Sequence, residues 1–287
     1  MRPINGKYYT GWKPDLPDFR DYTMSGMSVA PIVKKTGVLK TGKSSLPKTA
    51  DLRKWCSEVE DQEQLGSCTA NAGVGMIEYF ERKAFGKYID ASRLFLYRAT
   101  RDLMHEKGDS GAELRSTMGA LALFGVPPEE YWPYDIKTFD NIPPAFCYAF
   151  ALNYQSLKYV RLDPANMPKS DILTQIKTNL AASLPAMFGF TVYSSITQAD
   201  KDGKIPFPGK GEKIEGGHAI MAVGYDDGMK IKNNGTGQST IGALLIRNSW
   251  GKTWGDGGYG WLPYEYVLQE LAMDWWTLID SKYIDTG

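Results

Sequence analysis

The sequence predicts an α+β protein, with helices gathered in its first half and strands in its second. Three observations carry that expectation. Between residues 68 and 124 lie three stretches with apolar residues at helical spacing, two of them followed by glycine. After Ala145 the apolar residues come in short runs of strand length, set apart by Gly-, Pro- and Asp-rich loops. The two kinds of element do not alternate, which argues against a βαβ sheet.

The 287 residues suffice for one large domain or two packed lobes. The 33 basic residues balance the 33 acidic ones, so no basic field points to nucleic acid. No apolar run reaches membrane-spanning length, so no membrane partner is expected. The start, Met1 to Lys7, lacks the apolar core of a signal peptide. That makes a cytoplasmic location the default and leaves non-classical export open. No metal or phosphate motif is present, and no cofactor is expected. Three cysteines are too few for a disulfide scaffold; Cys56 and Cys147 would form one bridge or stay free.

Residues 1–46 read as a segment apart. Tyr8, Tyr9, Trp12, Phe19 and Tyr22 are scattered among Pro, Asp and Gly without a period, and Lys34–Ser45 has tether composition. Residues 47–150 read as a helical lobe. Its first helix runs from Cys68 to Phe85, closed by Gly86, with small residues (Ala70, Ala72, Gly73, Gly75) that allow close approach and a Glu78–Arg82 pair at i, i+4. Two more helices follow, Ser92–Met104 and Glu113–Phe124, the latter ended by Gly125. His105 has no acidic or Cys partner at ligand spacing and reads as a structural or surface residue.

Residues 151–287 read as a strand-rich lobe. Strands are expected at Ser156–Leu162, Pro185–Tyr193, Ala219–Tyr225 and Ala243–Arg247, with one amphipathic helix at Asp171–Ala182. Asp226-Asp227-Gly228 reads as a hairpin turn.

The chemistry concentrates in three places. Ser67 stands where it would cap a helix, and Cys68 would lie in that helix's first turn. Unpaired N–H groups and the positive dipole there favour a thiolate. Gln62 lies six residues earlier, placed to send an amide donor back to the same point. His218, in Gly216-Gly217-His218-Ala219, heads an apolar strand 150 residues after Cys68; Asn248 ends another 180 residues after it. Asn248-Ser249-Trp250-Gly251-Lys252-Thr253-Trp254-Gly255 continues to Gly258-Tyr259.

The Gln–Gly-Ser-Cys segment, the Gly-Gly-His strand and the Asn-Ser-Trp-Gly element together resemble the papain-like cysteine peptidases, in their compact bacterial form. Leu46-Pro47 through Leu52-Arg53 resembles the start of the mature enzymes, and the likeness extends over about residues 46–276. In that family His and Asn follow the Cys by roughly 130–150 residues. His218 fits at the limit, and Asn248 lies beyond it. The family's Cys three before the nucleophile is Leu65 here, and its aromatic after the nucleophile is Thr69.

The resemblance implies a two-lobe fold with a cleft between lobes, and a peptidase using Cys68 as nucleophile, His218 as base and acid, Asn248 as orienting group and Gln62 as oxyanion donor. Trp250 would shield the His–Asn bond, and Trp254 would wall the leaving-group side. Gly111, Ala112, Gly189 and Ala219 would line a roomy pocket for the second residue before the scissile bond. Asp274 at its floor would take an arginine. The substrate would be a peptide or protein, cleaved internally. Residues 1–46, too short for a long helical pro-domain, would be a pro-segment blocking the cleft or a packed arm. The same residues would also serve an acyl-transfer enzyme such as a transglutaminase or ligase, or a non-catalytic binding module.

Overall fold

A helix starting at Cys68 is the element on which the rest is built. The computed structural model describes residues 3–4, 6–36 and 46–283. The chain begins with a short strand, Trp12–Lys13 (β1), and a helix, Ala30–Thr36 (α1). Of the Lys34–Ser45 stretch, residues 34–36 end α1, and 37–45 lie outside the described residues. Thr49–Asp51 (β2) precedes the long helix Cys68–Phe85 (α2), which stops where Gly86 turns left-handed at φ 74°. Gly73 and Gly75 each weaken a helix by about 1 kcal/mol. Close packing accounts for them: a Cβ on Gly73 would press Leu96 and Thr117, and one on Gly75 would meet the Arg247 guanidinium at 2.3 Å.

Two local expectations fail around α2. Ser67 makes no side-chain cap; its Oγ meets the Tyr134 hydroxyl at 2.7 Å and accepts from Asn71 Nδ2 at 3.1 Å. Glu78 does not pair with Arg82. It is buried, accepts from Ser57 Oγ (2.5 Å) and the Ala91 amide (3.0 Å), and Arg82 turns to the Cys56 carbonyl. Burial outweighs the local pairing and pushes the Glu78 carboxyl up to about 7.

Arg93–Leu103 (α3) begins with Ser92 Oγ accepting from the Phe95 amide, as an N-cap should. Ala112–Glu113 (β3) leads directly into Leu114–Leu123 (α4), and Ala145–Ala151 (α5) completes the helical lobe. His105 is exposed.

The second lobe is a sheet of Tyr154–Arg161 (β4), Ala186–Tyr193 (β5), Ile214–Lys232 (β6), Ser239–Arg247 (β7), Tyr259–Pro263 (β8) and Ala272–Tyr283 (β9). Its order is β4-β9-β5-β6-β7-β8, with β2 also paired to β6. Every pairing in it is antiparallel. Lys169–Ala181 (α6) and Glu265–Leu268 (α7) complete this lobe. The α+β expectation holds.

The hairpin is not at Asp226-Asp227-Gly228. Strand β6 runs through those residues with an irregular register, and the chain reverses at Asn233–Gln238. There the Asn233 carbonyl oxygen of the side chain accepts from the Gly235 and Thr236 amides, while its Nδ2 donates to the Phe207 carbonyl and Glu212. That side-chain scaffold makes a stronger turn than the Asp-Gly pair. Cys56, Cys68 and Cys147 are all free and buried, which closes the question of a bridge between the first and last.

The lobes are tied behind the cleft. Arg247, at the end of β7, donates to Ser57 Oγ at 2.9 Å and to the Glu58 carbonyl, and Ser57 in turn reaches Glu78 on α2. No helix among the described residues is long and apolar enough to cross a membrane.

Candidate active site

Helix α2 delivers Cys68, β6 delivers His218, and the turn after β7 delivers Asn248. The structure brings the three together. Cys68 Sγ accepts from the amide of Ala219, the residue after His218, at 3.4 Å. His218 Nε2 lies 2.8 Å from Asn248 Oδ1, which also accepts from the Ser249 amide at 2.8 Å. An oxygen receiving a backbone N–H is an acceptor, so Nε2 carries the ring proton and Nδ1 presents its lone pair. Nδ1 is buried without a hydrogen-bond partner. The imidazole stacks on Trp250, centroids 4.4 Å apart at 18°.

Gln62 joins the same site. Its backbone N–H donates to the Ser249 carbonyl (2.8 Å), and Ser249 Oγ donates back to Gln62 Oε1 (2.6 Å). Two backbone carbonyls at the other end fix which end of the amide is the donor. Nε2 donates to the Leu65 carbonyl at 2.9 Å and to the Tyr9 carbonyl at 3.2 Å.

Residues 8–13 run across this constellation. Tyr8 stacks on Trp250 (4.4 Å), and Trp250 Nε1 donates to the Tyr9 carbonyl at 3.1 Å. The Gly11 amide donates to the Gly217 carbonyl (3.2 Å), and the Gly11 carbonyl accepts from the Ala112 amide (2.8 Å). Strand β1 then pairs parallel to β3, Trp12 beside Ala112. A Cβ on Gly11 would lie 2.0 Å from the Gly66 carbonyl oxygen, so only glycine fits this approach.

Cys68 and His218 are wholly buried, and their electrostatics differ from the thiolate expected at a helix start. Burial pushes the Cys68 thiol up to about 12, opposed by the amides of Ala219, Gly11, Thr69 and Cys68 itself. Burial holds His218 down at about 4, opposed by Asn248. Desolvation favours the neutral thiol and the neutral imidazole in this covered state.

The pocket residues also converge. Gly189 pairs with Ala219 across β5 and β6. Gly111, at φ 73°, donates its amide to the Tyr97 hydroxyl (3.0 Å), which donates to Asp109; Asp109 also accepts from the Gly66 amide. The Trp12 indole fills the space these residues enclose. Cβ atoms built on Gly189 and Gly217 would fall 1.9 and 2.9 Å from its ring carbons.

Asp274 is at the end of that space and buried, not at the surface, and its carboxylate is already engaged. It accepts from Trp12 Nε1 (3.1 Å) and Trp276 Nε1 (2.7 Å), and it faces Arg161 at 3.4 Å. Its carboxyl is pushed up to about 7 by burial, against the pull of Arg161. Trp254 is buried, edge-on against Trp250.

Sequence reasoning missed Ser249, Asp109, Gly11 and Arg161. Ser249 stood in plain view inside the Asn-Ser-Trp element. The other three act through pairings across the fold that no local pattern announces.

Residues 46–270 match the family model described as papain family cysteine protease. An uncharacterized peptidase C1-like protein of Acanthamoeba polyphaga mimivirus is 36% identical over 239 residues, 81% of this chain and 73% of that one. Procathepsin L of Rattus norvegicus is 27% identical over 75% of this chain and 59% of its own length. Among solved structures, xylellain, a cysteine protease from Xylella fastidiosa, superposes with a TM-score of 0.75 at 32% identity, covering 99% of this chain and 98% of that one. With the family match spanning most of its length and the fold shared from end to end, the chain belongs to the papain family of cysteine proteases.

Proposed function

We propose that the protein is a cysteine endopeptidase, held latent by residues 8–13 of its own N-terminal segment. One observation carries this reading. His218 is fixed through Nε2 by Asn248, while Nδ1 lies buried and unpartnered one residue from the amide on Cys68 Sγ.

In the open cleft, Nδ1 takes the thiol proton and Sγ attacks the scissile carbonyl carbon. The carbonyl electrons move onto oxygen, where Gln62 Nε2 and the Cys68 amide donate to the oxyanion; one such donor is worth about 10²–10³ in rate. Collapse breaks the C–N bond, the imidazolium protonates the leaving amine, and a thioester remains. Water attacks the thioester as His218 takes its proton. The acid leaves and the thiol is restored. Trp250 covers the His–Asn bond throughout, as its stacking on the imidazole indicates.

Latency is supported by the Tyr9 carbonyl on Gln62 Nε2, the donor reserved for the oxyanion, and by Trp12 in the specificity pocket. The seated indole favours substrates with a large aromatic residue there over arginine, because the Asp274 carboxyl is buried and already faces Arg161. The endopeptidase assignment follows from the family resemblance.

The test is turnover of a peptide substrate by the full chain and its Cys68→Ala variant. The variant is expected to lose all turnover. Activity retained in a folded Cys68→Ala protein would refute the reading.

A further inference from the structure

Beyond the pocket that holds Trp12, the N-terminal segment sets two carboxylates on an arginine. Arg115, at the start of α4, donates Nε and Nη2 to the two oxygens of Asp21 at 2.8 and 2.9 Å, and Nη1 to Asp15. Its Nη2 also takes the Leu16 carbonyl at 2.7 Å. The Asp21 side chain is only 5% exposed, so this is a formed site rather than a surface ion pair. Arg161 stands behind it, with Nη2 on the Asp15 carbonyl (2.8 Å) and Nη1 3.5 Å from Asp21. Both guanidinium groups lie over the Trp276 ring, at 5.7 and 5.2 Å.

The two arginines differ in who balances them. Arg161 pairs with Asp163 and Asp274 of the body of the protein. Among the described residues, both ion-pair partners of Arg115 lie before residue 22. When the segment leaves, Arg115, two residues after the β3 strand that Trp12 and Lys13 pair with, presents a bidentate fork with those two carboxylates gone, while Arg161 keeps Asp163 and Asp274. Such a fork matches a carboxylate in geometry and charge.

We propose that Arg115 is a specificity residue for the peptidase, a subsite for a substrate carboxylate placed three residues before the residue in the aromatic pocket. The spacing is that of the segment itself. The segment runs opposite to a substrate, since Tyr9 at the oxyanion donor precedes Trp12 in the pocket, so Asp15, three residues after Trp12 and on Arg115, marks a position about 10 Å back along an extended substrate. Because the pocket takes the second residue before the scissile bond, the acidic residue is the fifth. Substrates would thus be acidic peptides with an aromatic residue near the cleavage site. The proposal rests on the cleft assignment made above.

The test uses the full chain carrying Gly11→Leu, which displaces the segment, with Asp15→Asn and Asp21→Asn so that the tethered segment does not compete. Two peptides are compared, each with Phe as the second residue before the cleaved bond and with Asp or Asn as the fifth. The Asp peptide is expected to show about tenfold higher kcat/KM, and added salt should shrink that ratio. Arg115→Gln in the same background should bring the ratio to near one, and Arg115→Lys should leave it between. A ratio of one in the parent, a ratio insensitive to salt, or a ratio that survives Arg115→Gln would overturn the proposal while leaving the cleft assignment intact. Absence of turnover on both peptides would remove the cleft assignment and this subsite with it.

Discussion

Replacing Gly11 should switch the protein on. A Cβ at this position would lie 2.0 Å from the Gly66 carbonyl oxygen and 2.5 Å from its carbon. Both are backbone atoms of the loop leading into α2, so the neighbour has no side chain to swing aside. Gly11 is not among the residues with positive φ, so alanine there carries no backbone strain and acts by contact alone. To clear the clash the segment must move out by more than an ångström. That breaks two bonds, Gly11 to Gly217 and Ala112 to Gly11, worth about 1 kcal/mol each. With about 1 kcal/mol for overpacking, the covered state loses about 3 kcal/mol relative to the open one. At 1.4 kcal/mol per decade, this is about a hundredfold rise in the open fraction, up to the ceiling of a fully open enzyme. The assay is the initial rate on a small fluorogenic peptide, with intact mass confirming that residues 1–46 remain attached. Gly11→Leu should match or exceed Gly11→Ala. A folded Gly11→Ala protein no faster than wild type would refute the steric account of latency.

Two further outcomes follow from the same geometry. Gln62→Ala, measured in the Gly11→Leu background, should lower kcat by roughly 10–10³ with little change in KM, since its amide serves the transition state; a rise in KM alone would reassign Gln62 to ground-state binding. Asp274 has its carboxyl raised from 3.8 to about 7, so the stability it contributes is full below about pH 4 and is lost as pH rises toward 7. Thermal melts of wild type and Asp274→Asn should therefore diverge across that window, the wild type losing stability relative to the variant by a few kcal/mol at most. A pH-independent difference would contradict the buried, proton-holding carboxyl.

The fold class and the grouping of Cys68, His218, Asn248 and Gln62 were legible because each rests on local sequence. The helix from Cys68 to Gly86 is bounded by a glycine whose left-handed turn is needed, and the Gly-Gly-His and Asn-Ser-Trp elements carry their own signatures. What failed was decided at a distance. Glu78 looked like half of an i, i+4 pair, but it faces Ser57 and Ala91, which no helical spacing reports. The Asp226–Gly228 turn lost to Asn233, whose side chain bonds its own turn at Gly235 and the loop of Phe207 and Glu212. Asp274 was placed in the pocket by register, yet its charge depended on Arg161, more than a hundred residues away in sequence. The thiolate expected from the helix dipole lost to burial, which no local pattern reports. The aromatic residues from Tyr8 to Tyr22 suggested a segment able to fill subsites; that Gly11 gives it its closest approach emerges only from the position of Gly66.

The central claim is that Cys68 is a nucleophile hidden under the protein's own chain. Covalent labelling by an epoxysuccinyl peptide, read by intact mass and peptide mapping, tests it most directly. Wild type and Gly11→Leu would be compared at equal times. The expected result is one adduct per chain, on Cys68, formed far faster in Gly11→Leu than in wild type, with Cys56 and Cys147 unmodified. An adduct on either of those cysteines instead, or equal labelling rates for the two proteins, would contradict it.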